Sequence, residues 1–320
     1  MSTDPARPGR RVLRLLAGAA LGAVATRAAY TSLTRRPPGV AGRSGGELWD
    51  RTNHRGEPVT LLEGPAFVAG AAAAGLLAPG ASGRVRAAAL VAGVGSGVLG
   101  GYDDLAGSGS SRGFKGHLAA LAKGEVTTGA VKILGIGATG LAAAALAGSS
   151  ARTAPGRAVD TLLNGAIVAA SANLMNLFDL RPGRAIKVGL LAGTPLALTS
   201  SGSAVVAAPL GAAVALLPED LGERAMLGDT GANALGALLG LAATRLPRAP
   251  RLAVLAGLVG LNAASEFVSF TKVIAGNPVL NRIDMAGRRP PEPVRPAEVS
   301  LADTGTGTGA DASAAPVTPN

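Results

Sequence analysis

The sequence predicts an all-α protein, a polytopic bundle of about nine transmembrane helices within a range of about eight to ten. Composition is the first reason: the chain is 48% hydrophobic and only 16% charged, whereas soluble domains are usually about 25% charged. Patterning is the second, because the charges are confined to short stretches between long runs of Ala, Gly, Leu and Val. Such runs are typical of helices that satisfy their own backbone hydrogen bonds within lipid.

The apolar segments predict the helices one by one. They cover residues 12–30, 61–79, 85–102, 126–148, 159–178, 185–200, 203–218, 228–246 and 251–270. Several approach the roughly 20 residues that a helix needs to cross a bilayer. The two segments beside Gly202 are shorter, which favours tilted helices or half-helices.

The two ends of the chain differ from the apolar middle. Residues 1–11 form a polar, Arg-rich tail, residues 12–285 form the membrane domain, and residues 286–320 are rich in Pro, Thr, Gly and Ala, as in disordered tails. A basic start before an apolar run is also typical of a secretory signal. We favour a first spanning helix, because similar segments follow and no clear cleavage site is present.

The charge distribution indicates membrane lipids and phosphorylated substrates as partners, and no nucleic acid. The net charge is +10, but its Lys and Arg residues lie mostly in loops between apolar runs, where anionic headgroups are the usual partners. Threading nine spans places the more basic loops on one side, which predicts a multi-pass plasma-membrane protein with that side in the cytoplasm. The basic tail at 1–11 argues against this orientation. Cysteine is absent, so thiolate metal sites are excluded.

Four carboxylates stand where apolar segments meet polar loops. They are Asp103 and Asp104 in Gly-Tyr-Asp-Asp-Leu, Asp179 in Asn-Leu-Met-Asn-Leu-Phe-Asp, and Asp229 in Gly-Asp-Thr-Gly. Ionisable groups near hydrocarbon are costly and are usually retained for function or pairing. We therefore expect them to converge on one membrane face around a divalent cation. A solvated acidic loop is the alternative for the first pair, and a helix N-cap is the alternative for Asp229.

Asn173, Asn176 and Asp179 are three residues apart, which places them along one face of a helix. Amides with a carboxylate can bind a metal, a pyrophosphate or the edge of a base. Hydrogen bonding between helices is the alternative. It is favoured for Asn173, whereas a substrate contact is favoured for Asn176.

Lysines beside the apolar segments are candidate contacts for a phosphoryl group. Lys115, in Arg-Gly-Phe-Lys-Gly-His, is the preferred member, followed by Lys187, with Lys123 and Lys132 as further candidates. Anchoring at the membrane surface is the usual alternative role of such residues. His54 and His117 are the two histidines, and their separation gives no metal signature.

Small residues spaced by four predict close helix packing. The pairs are Gly18/Gly22, Gly93/Gly97, Gly97/Gly101 and Gly236/Gly240. The same Gly-rich helices would permit a homodimer.

Together, the ordered acidic motifs resemble the polyprenyl-phosphate N-acetylhexosamine-1-phosphate transferase family, which includes the phospho-MurNAc-pentapeptide translocase. The resemblance covers roughly residues 12–285 and is carried by the pair Asp103 and Asp104, by Asn176, Leu177 and Asp179, and by Gly228 to Gly231. It implies that a polyprenyl phosphate attacks a UDP-sugar, expected to be a UDP-N-acetylhexosamine. The products would be a polyprenyl-diphospho-sugar for envelope glycan synthesis, and UMP.

The resemblance also implies residue roles. Asp229 and Asp104 would hold Mg²⁺, with Mn²⁺ as an alternative, and Asp103 would assist the attacking phosphate. Asn176 and Asp179 would contact the nucleotide region, and Lys115 matches a family lysine only loosely. Asp179 is followed by Leu-Arg-Pro-Gly where the family often has a second Asp and Gly, and residues 269–278 contain no His. The muramyl-pentapeptide donor is therefore not expected.

Two other functions compete with the transferase. One is a catalytically silent homologue that scaffolds envelope-synthesis proteins. The other, less favoured, is an ion-coupled transporter whose buried carboxylates bind Na⁺ or H⁺, a class that commonly carries inverted repeats.

Overall fold

The computed structural model describes residues 8–39, 42–53, 55–106, 116, 120 and 122–290, which are mostly helical. The helices are α1 Pro8–Arg35, α2 Gly45–Trp49, α3 Glu63–Leu77, α4 Gly83–Leu90, α5 Ser96–Ala106, α6 Thr128–Ala147, α7 Ala154–Phe178, α8 Arg184–Ala197, α9 Ser203–Leu221, α10 Gly228–Ala243, α11 Arg248–Ser265, α12 Phe270–Gly276 and α13 Pro278–Met285. A π-helical turn, Val91–Gly95, joins α4 to α5. Two short strands, β1 Asp50–Thr52 and β2 Pro58–Thr60, pair antiparallel.

The helical prediction and the membrane character agree with the structure, but the count of nine spans is not confirmed. Five described helices are long and apolar enough to cross a bilayer: α1, the continuous α4–α5 helix, α6, α7 and α9. The bent pair of α11 and α12 would make a sixth. The apolar segments that became α3, α8 and α10 form helices of only 15, 14 and 16 residues, shorter than the roughly 20 residues of a simple span.

Helix α10 is the central element of the bundle. Its residues from Thr230 to Ala243 are all buried, and it packs against α7, α5, α3, α9 and α8. Two of the predicted small residues make this packing close: a Cβ on Gly236 would lie 2.3 Å from the Ser171 carbonyl oxygen, and one on Gly240 would lie 2.8 Å from the Val168 Cα. A helix hydrophobic on all sides is stable only in such a position.

The segment between α1 and α3 contains α2 and the two-stranded hairpin. The hairpin also holds the segment that leads into α10, because the Thr60 N–H donates to the Arg224 carbonyl at 3.2 Å and the Met226 N–H donates to the Thr60 carbonyl at 3.0 Å. Trp49 packs under the hairpin and donates from its indole nitrogen to the Pro38 carbonyl at 2.8 Å. These backbone hydrogen bonds thus fix the segment before α10 to the hairpin, which is not part of the helical bundle.

The last helices attach to the bundle through polar contacts. Helix α11 has no buried residue and bonds to α7 through Arg251 and Asp160 at 3.0 Å. On α13, buried Asp284 accepts two hydrogen bonds from Arg184, at 2.8 and 3.0 Å, and one from Arg288 at 2.7 Å. Burial raises the pKa of the Asp284 carboxyl, but the two guanidinium groups outweigh it and hold that pKa below its ordinary value.

We expect Asp284→Ala to destabilise the protein, because Arg184 would stay buried without its partner. Removal of one member of a buried ion pair commonly costs about 3–5 kcal/mol. The thermal midpoint in detergent measures the effect at neutral pH, where the carboxylate is charged. Because the folded pKa is lowered, the contribution of wild-type Asp284 should disappear as the pH falls through that pKa.

The control for this experiment is Arg282→Ala on the same helix, whose side chain is exposed. Equal midpoints for Asp284→Ala and the wild-type protein would show that the ion pair does not stabilise the attachment of α13.

Candidate active site

The end of α5 and the start of α10 meet backbone to backbone. A Cβ on Gly100 would lie 2.2 Å from the Asp229 carbonyl oxygen, and one on Gly101 would lie 3.1 Å from the Thr230 Oγ1. Real Cβ atoms do not approach this closely, so a glycine is required at position 100. The close contact brings the paired acids of α5 next to the acid of α10.

Asp104 caps the N-terminus of α10 from a different helix. Its Oδ1 accepts from the Asp229 N–H at 3.0 Å, and its Oδ2 accepts from the N–H and Oγ1 of Thr230, at 2.9 and 2.7 Å. Free N–H groups at a helix start are normally capped by a residue of the same chain segment. Gly228 has φ +59, and a Cβ there would lie 3.0 Å from Asp104 Oδ2, so this turn also favours glycine.

Lys132 on α6 joins the two remaining acids. Its Nζ lies 2.7 Å from Asp103 Oδ2 and donates a second, short hydrogen bond to Asp229 Oδ2. The lysine side chain is only 12% exposed. One ammonium therefore occupies the point on which carboxylates from α5 and α10 converge.

Asp179 lies beside the same turn. It follows the last residue of α7, is buried, and accepts a hydrogen bond from the Gly228 N–H. Its Oδ2 has no partner. Burial, together with repulsion from Asp220, Asp229 and Asp104, raises the pKa of the Asp179 carboxyl well above its ordinary value. All four predicted carboxylates thus lie around the first turn of α10.

A pocket of about 240 Å³ opens beside Asp179. Its walls come from the hairpin, the turn after α7 and the segment before α10. Asp220 lines it as well, accepts from the Gly183 N–H at 2.9 Å and keeps Oδ2 without a partner. The pocket therefore combines the carboxyl groups of Asp179 and Asp220 with the guanidinium of Arg181 and with apolar side chains.

An apolar groove of about 480 Å³ runs between α6, α7 and α11. Its lining residues are Lys132, Ile133, Ile136, Ala169, Ala170, Asn173, Val259, Asn262, Ala263, Glu266 and Phe267. Lys132 belongs both to this groove and to the carboxylate site. An apolar chain in the groove can therefore carry a charged head to the ammonium.

The remaining predicted site residues are placed less directly. The Asn173 side chain donates to Asn262 Oδ1 at 2.6 Å, which agrees with the helix-to-helix alternative. Asn176 is half-buried, one turn before Asp179. Lys187 donates to the Asp284 carbonyl at 2.6 Å and not to any of the four carboxylates.

Lys115, the preferred lysine, lies outside the described residues, as do His54 and His117. Among the described lysines it is Lys132 that contacts the acids, although the sequence ranked it lower. The reason is that Lys132 lies inside an apolar segment rather than in a loop, and an intramembrane charge is the stronger functional signal.

Two further acids were missed at the sequence level. Glu63 is completely buried at the start of α3, and neither of its carboxylate oxygens has a partner. Asp220 stands near the end of α9 and is 1% exposed. Both occupy the boundary between an apolar segment and a loop, which is the pattern that identified the other acids.

The donor set suits a hard cation. Asp103 and Asp229 both contact the Lys132 ammonium, so a metal ion would have these two carboxylates as ligands only after the ammonium moves from the point between them, whereas Asp104 is engaged by three donors at the start of α10. Across the described ranges, no group of three or more Asp, Glu, His or Cys is arranged to hold a metal ion. A Mg²⁺ ion here would take further ligands from water or phosphate, as it commonly does.

Comparisons with known proteins add no relatives. No protein-family model matches the chain, and no curated protein matches it.

Gly100→Ala should destabilise the protein and separate α5 from α10, because the added methyl group would overlap the backbone at Asp229. Overpacking of this kind typically costs about 1–3 kcal/mol, and occasionally more. Gly137→Ala on α6 is the matched control, since nothing lies within 4 Å of its Cβ position. There the change should be neutral or slightly stabilising. Thermal midpoints in detergent distinguish the two, and equal midpoints would contradict the close approach.

Proposed function

We propose that the chain is a Mg²⁺-dependent phosphoglycosyl transferase. It transfers a sugar-1-phosphate from a UDP-sugar, expected to be a UDP-N-acetylhexosamine, to a polyprenyl phosphate and releases UMP for envelope glycan synthesis. The order of the acidic motifs supports this proposal. The observation that carries it is the position of Lys132, which lies where an apolar groove meets two carboxylates.

Two parts of the acceptor lipid bind at different places, one in the apolar groove and one at the carboxylate site. The prenyl chain occupies the apolar groove, and its phosphate reaches Lys132 at the site end. The ammonium then neutralises the phosphate that approaches Asp103 and Asp229. This geometry provides what phosphoryl transfer needs most, namely positioning and charge neutralisation.

In the reaction, an oxygen of the lipid phosphate forms a bond to the β-phosphorus of the donor. The bond between this phosphorus and the bridging oxygen breaks, and UMP leaves with both electrons of that bond. Asp103 orients the attacking phosphate and accepts its proton when it arrives protonated. Asp104 holds the first turn of α10 in place throughout.

Mg²⁺ would be held by Asp229 and Asp103, with Mn²⁺ as an alternative, once the Lys132 ammonium moves from between these carboxylates to the lipid phosphate, and it would neutralise the diphosphate of the donor. In the sequence-level expectation Asp104 was the second ligand. The capping hydrogen bonds of Asp104 favour Asp103 in that role.

The donor nucleotide would occupy the pocket beside Asp179. Asp179 and Asp220 line this pocket, and their carboxyl groups would bond to the base or ribose after their buried, unpartnered Oδ2 atoms turn toward the ligand. Asn176 lies one turn before Asp179, so it remains a candidate nucleotide contact. The proposed site lies on the cytoplasmic side of the plasma membrane, because nucleotide sugars are cytoplasmic.

Purified protein with polyprenyl phosphate, a panel of UDP-sugars and Mg²⁺ should release UMP. Asp103→Asn, Asp229→Asn and Lys132→Gln should each reduce the rate at least about 100-fold, the usual scale for loss of one electrostatic contact to a transition state. Chelation of the metal should abolish release.

Glu125→Gln is the control, because this carboxylate is exposed near the start of α6. It should keep wild-type activity. Absence of UMP with every donor, in protein that is folded and retains lipid, would overturn the proposal and favour the scaffold.

Ala263→Phe should obstruct the groove, since Ala263 lines it. The expected result is a raised KM for a long-chain polyprenyl phosphate with little change for a short-chain acceptor that does not fill the groove. Ala253→Phe is the control, because Ala253 is exposed on the same helix and does not line the groove. Equal KM values for both variants would place the lipid elsewhere.

A further inference from the structure

The chain turns sharply where α11 gives way to α12. Helices α11 and α12 are together apolar enough for a span, yet their axes differ by 99°. A helix at a right angle to a membrane-spanning helix lies parallel to the bilayer surface. Where α11 crosses the bilayer, the turn would direct α12 along the membrane surface.

One side of this helix pair is fixed to the bundle. Phe270 stacks on Phe178 with ring centroids 5.2 Å apart, Thr271 accepts from Arg184 at 3.0 Å, and Asp284 is held by the same arginine. These contacts involve Phe270, Thr271 and Asp284, whereas other side chains of α12 and α13 are exposed.

Several of these exposed side chains are apolar. Val273 is 47% exposed, Val279 is 68% exposed and Ile283 is 41% exposed. Val279 and Ile283 are four residues apart, so they share one face of α13. Burial of such a face in the boundary region of a leaflet is how amphipathic surface helices bind membranes.

The exposed charges of the pair are cationic. Lys272 and Arg282 are exposed beside the apolar residues, whereas Asp284, the one acid between residues 269 and 286, is buried. Basic residues around an inserted apolar face favour anionic headgroups, by about 1 kcal/mol for each cation near the surface. A second copy of the chain would meet the same positive charge and be repelled.

We infer that α12 and α13 form a surface anchor that inserts Val273, Val279 and Ile283 into one leaflet and binds anionic phospholipid through Lys272 and Arg282. The anchor follows directly from the end of α11, which forms one wall of the apolar groove. It does not depend on the proposed transferase activity, so a protein without activity would still carry it.

The absence of native cysteine makes a direct test practical. Val279→Cys and Ile283→Cys variants of the full chain each carry one nitroxide spin label in nanodiscs of phosphatidylcholine, with or without phosphatidylglycerol. Asp50→Cys on the hairpin is the control, because Asp50 is exposed.

Both anchor labels should be accessible to oxygen and protected from a water-soluble nickel chelate, while the Asp50 label should be open to the chelate. Phosphatidylglycerol should increase the protection, and Lys272→Gln with Arg282→Gln should remove that increase. Chelate accessibility equal to that of the control would overturn the anchor. Strong dipolar broadening between labels on two chains would assign the face to a second copy instead.

Discussion

The arrangement of the site depends on one interaction, in which the Asp104 carboxylate at the end of α5 caps the first turn of α10. It accepts three hydrogen bonds from Asp229 and Thr230, and so ties the end of α5 to the start of the central helix. The contact needs the missing side chain of Gly100, because any Cβ there would meet the α10 backbone. Without this link, Asp103 would have no fixed relation to Asp229.

Charge balance determines what the site can bind. Lys132 offsets one of the negative charges of Asp103 and Asp229, and Asp104 adds another carboxylate, whereas the raised pKa of Asp179 favours its neutral form. An acidic site can receive phosphate groups only with additional cations, which is why the proposed reaction needs a divalent metal. The apolar groove that begins at Lys132 then explains why the ammonium lies within an apolar helix and not in a loop.

The sequence predicted the helical fold and the convergence of the four acids well, because both follow from where charges interrupt apolar runs. It predicted the number of spans less well, because α3, α8 and α10 are apolar yet short. A helix buried within protein and a helix buried within lipid have similar apolar compositions, so composition does not distinguish them. It ranked Lys132 below Lys115 and did not single out Glu63, because the contacts of both residues are made between distant helices. Asp104 was expected to hold metal, and only the geometry of α10 reveals its capping bonds.

Whether Asp103 and Asp229 hold a divalent cation is tested most directly by electron paramagnetic resonance of Mn²⁺ bound to the purified protein in the presence of a UDP-sugar. We expect one bound Mn²⁺ per chain, which Mg²⁺ displaces. Binding should be lost in Asp103→Asn and Asp229→Asn and retained in Asp50→Asn. Binding that persists unchanged in both Asp103→Asn and Asp229→Asn, or no binding in the wild-type protein, would contradict it.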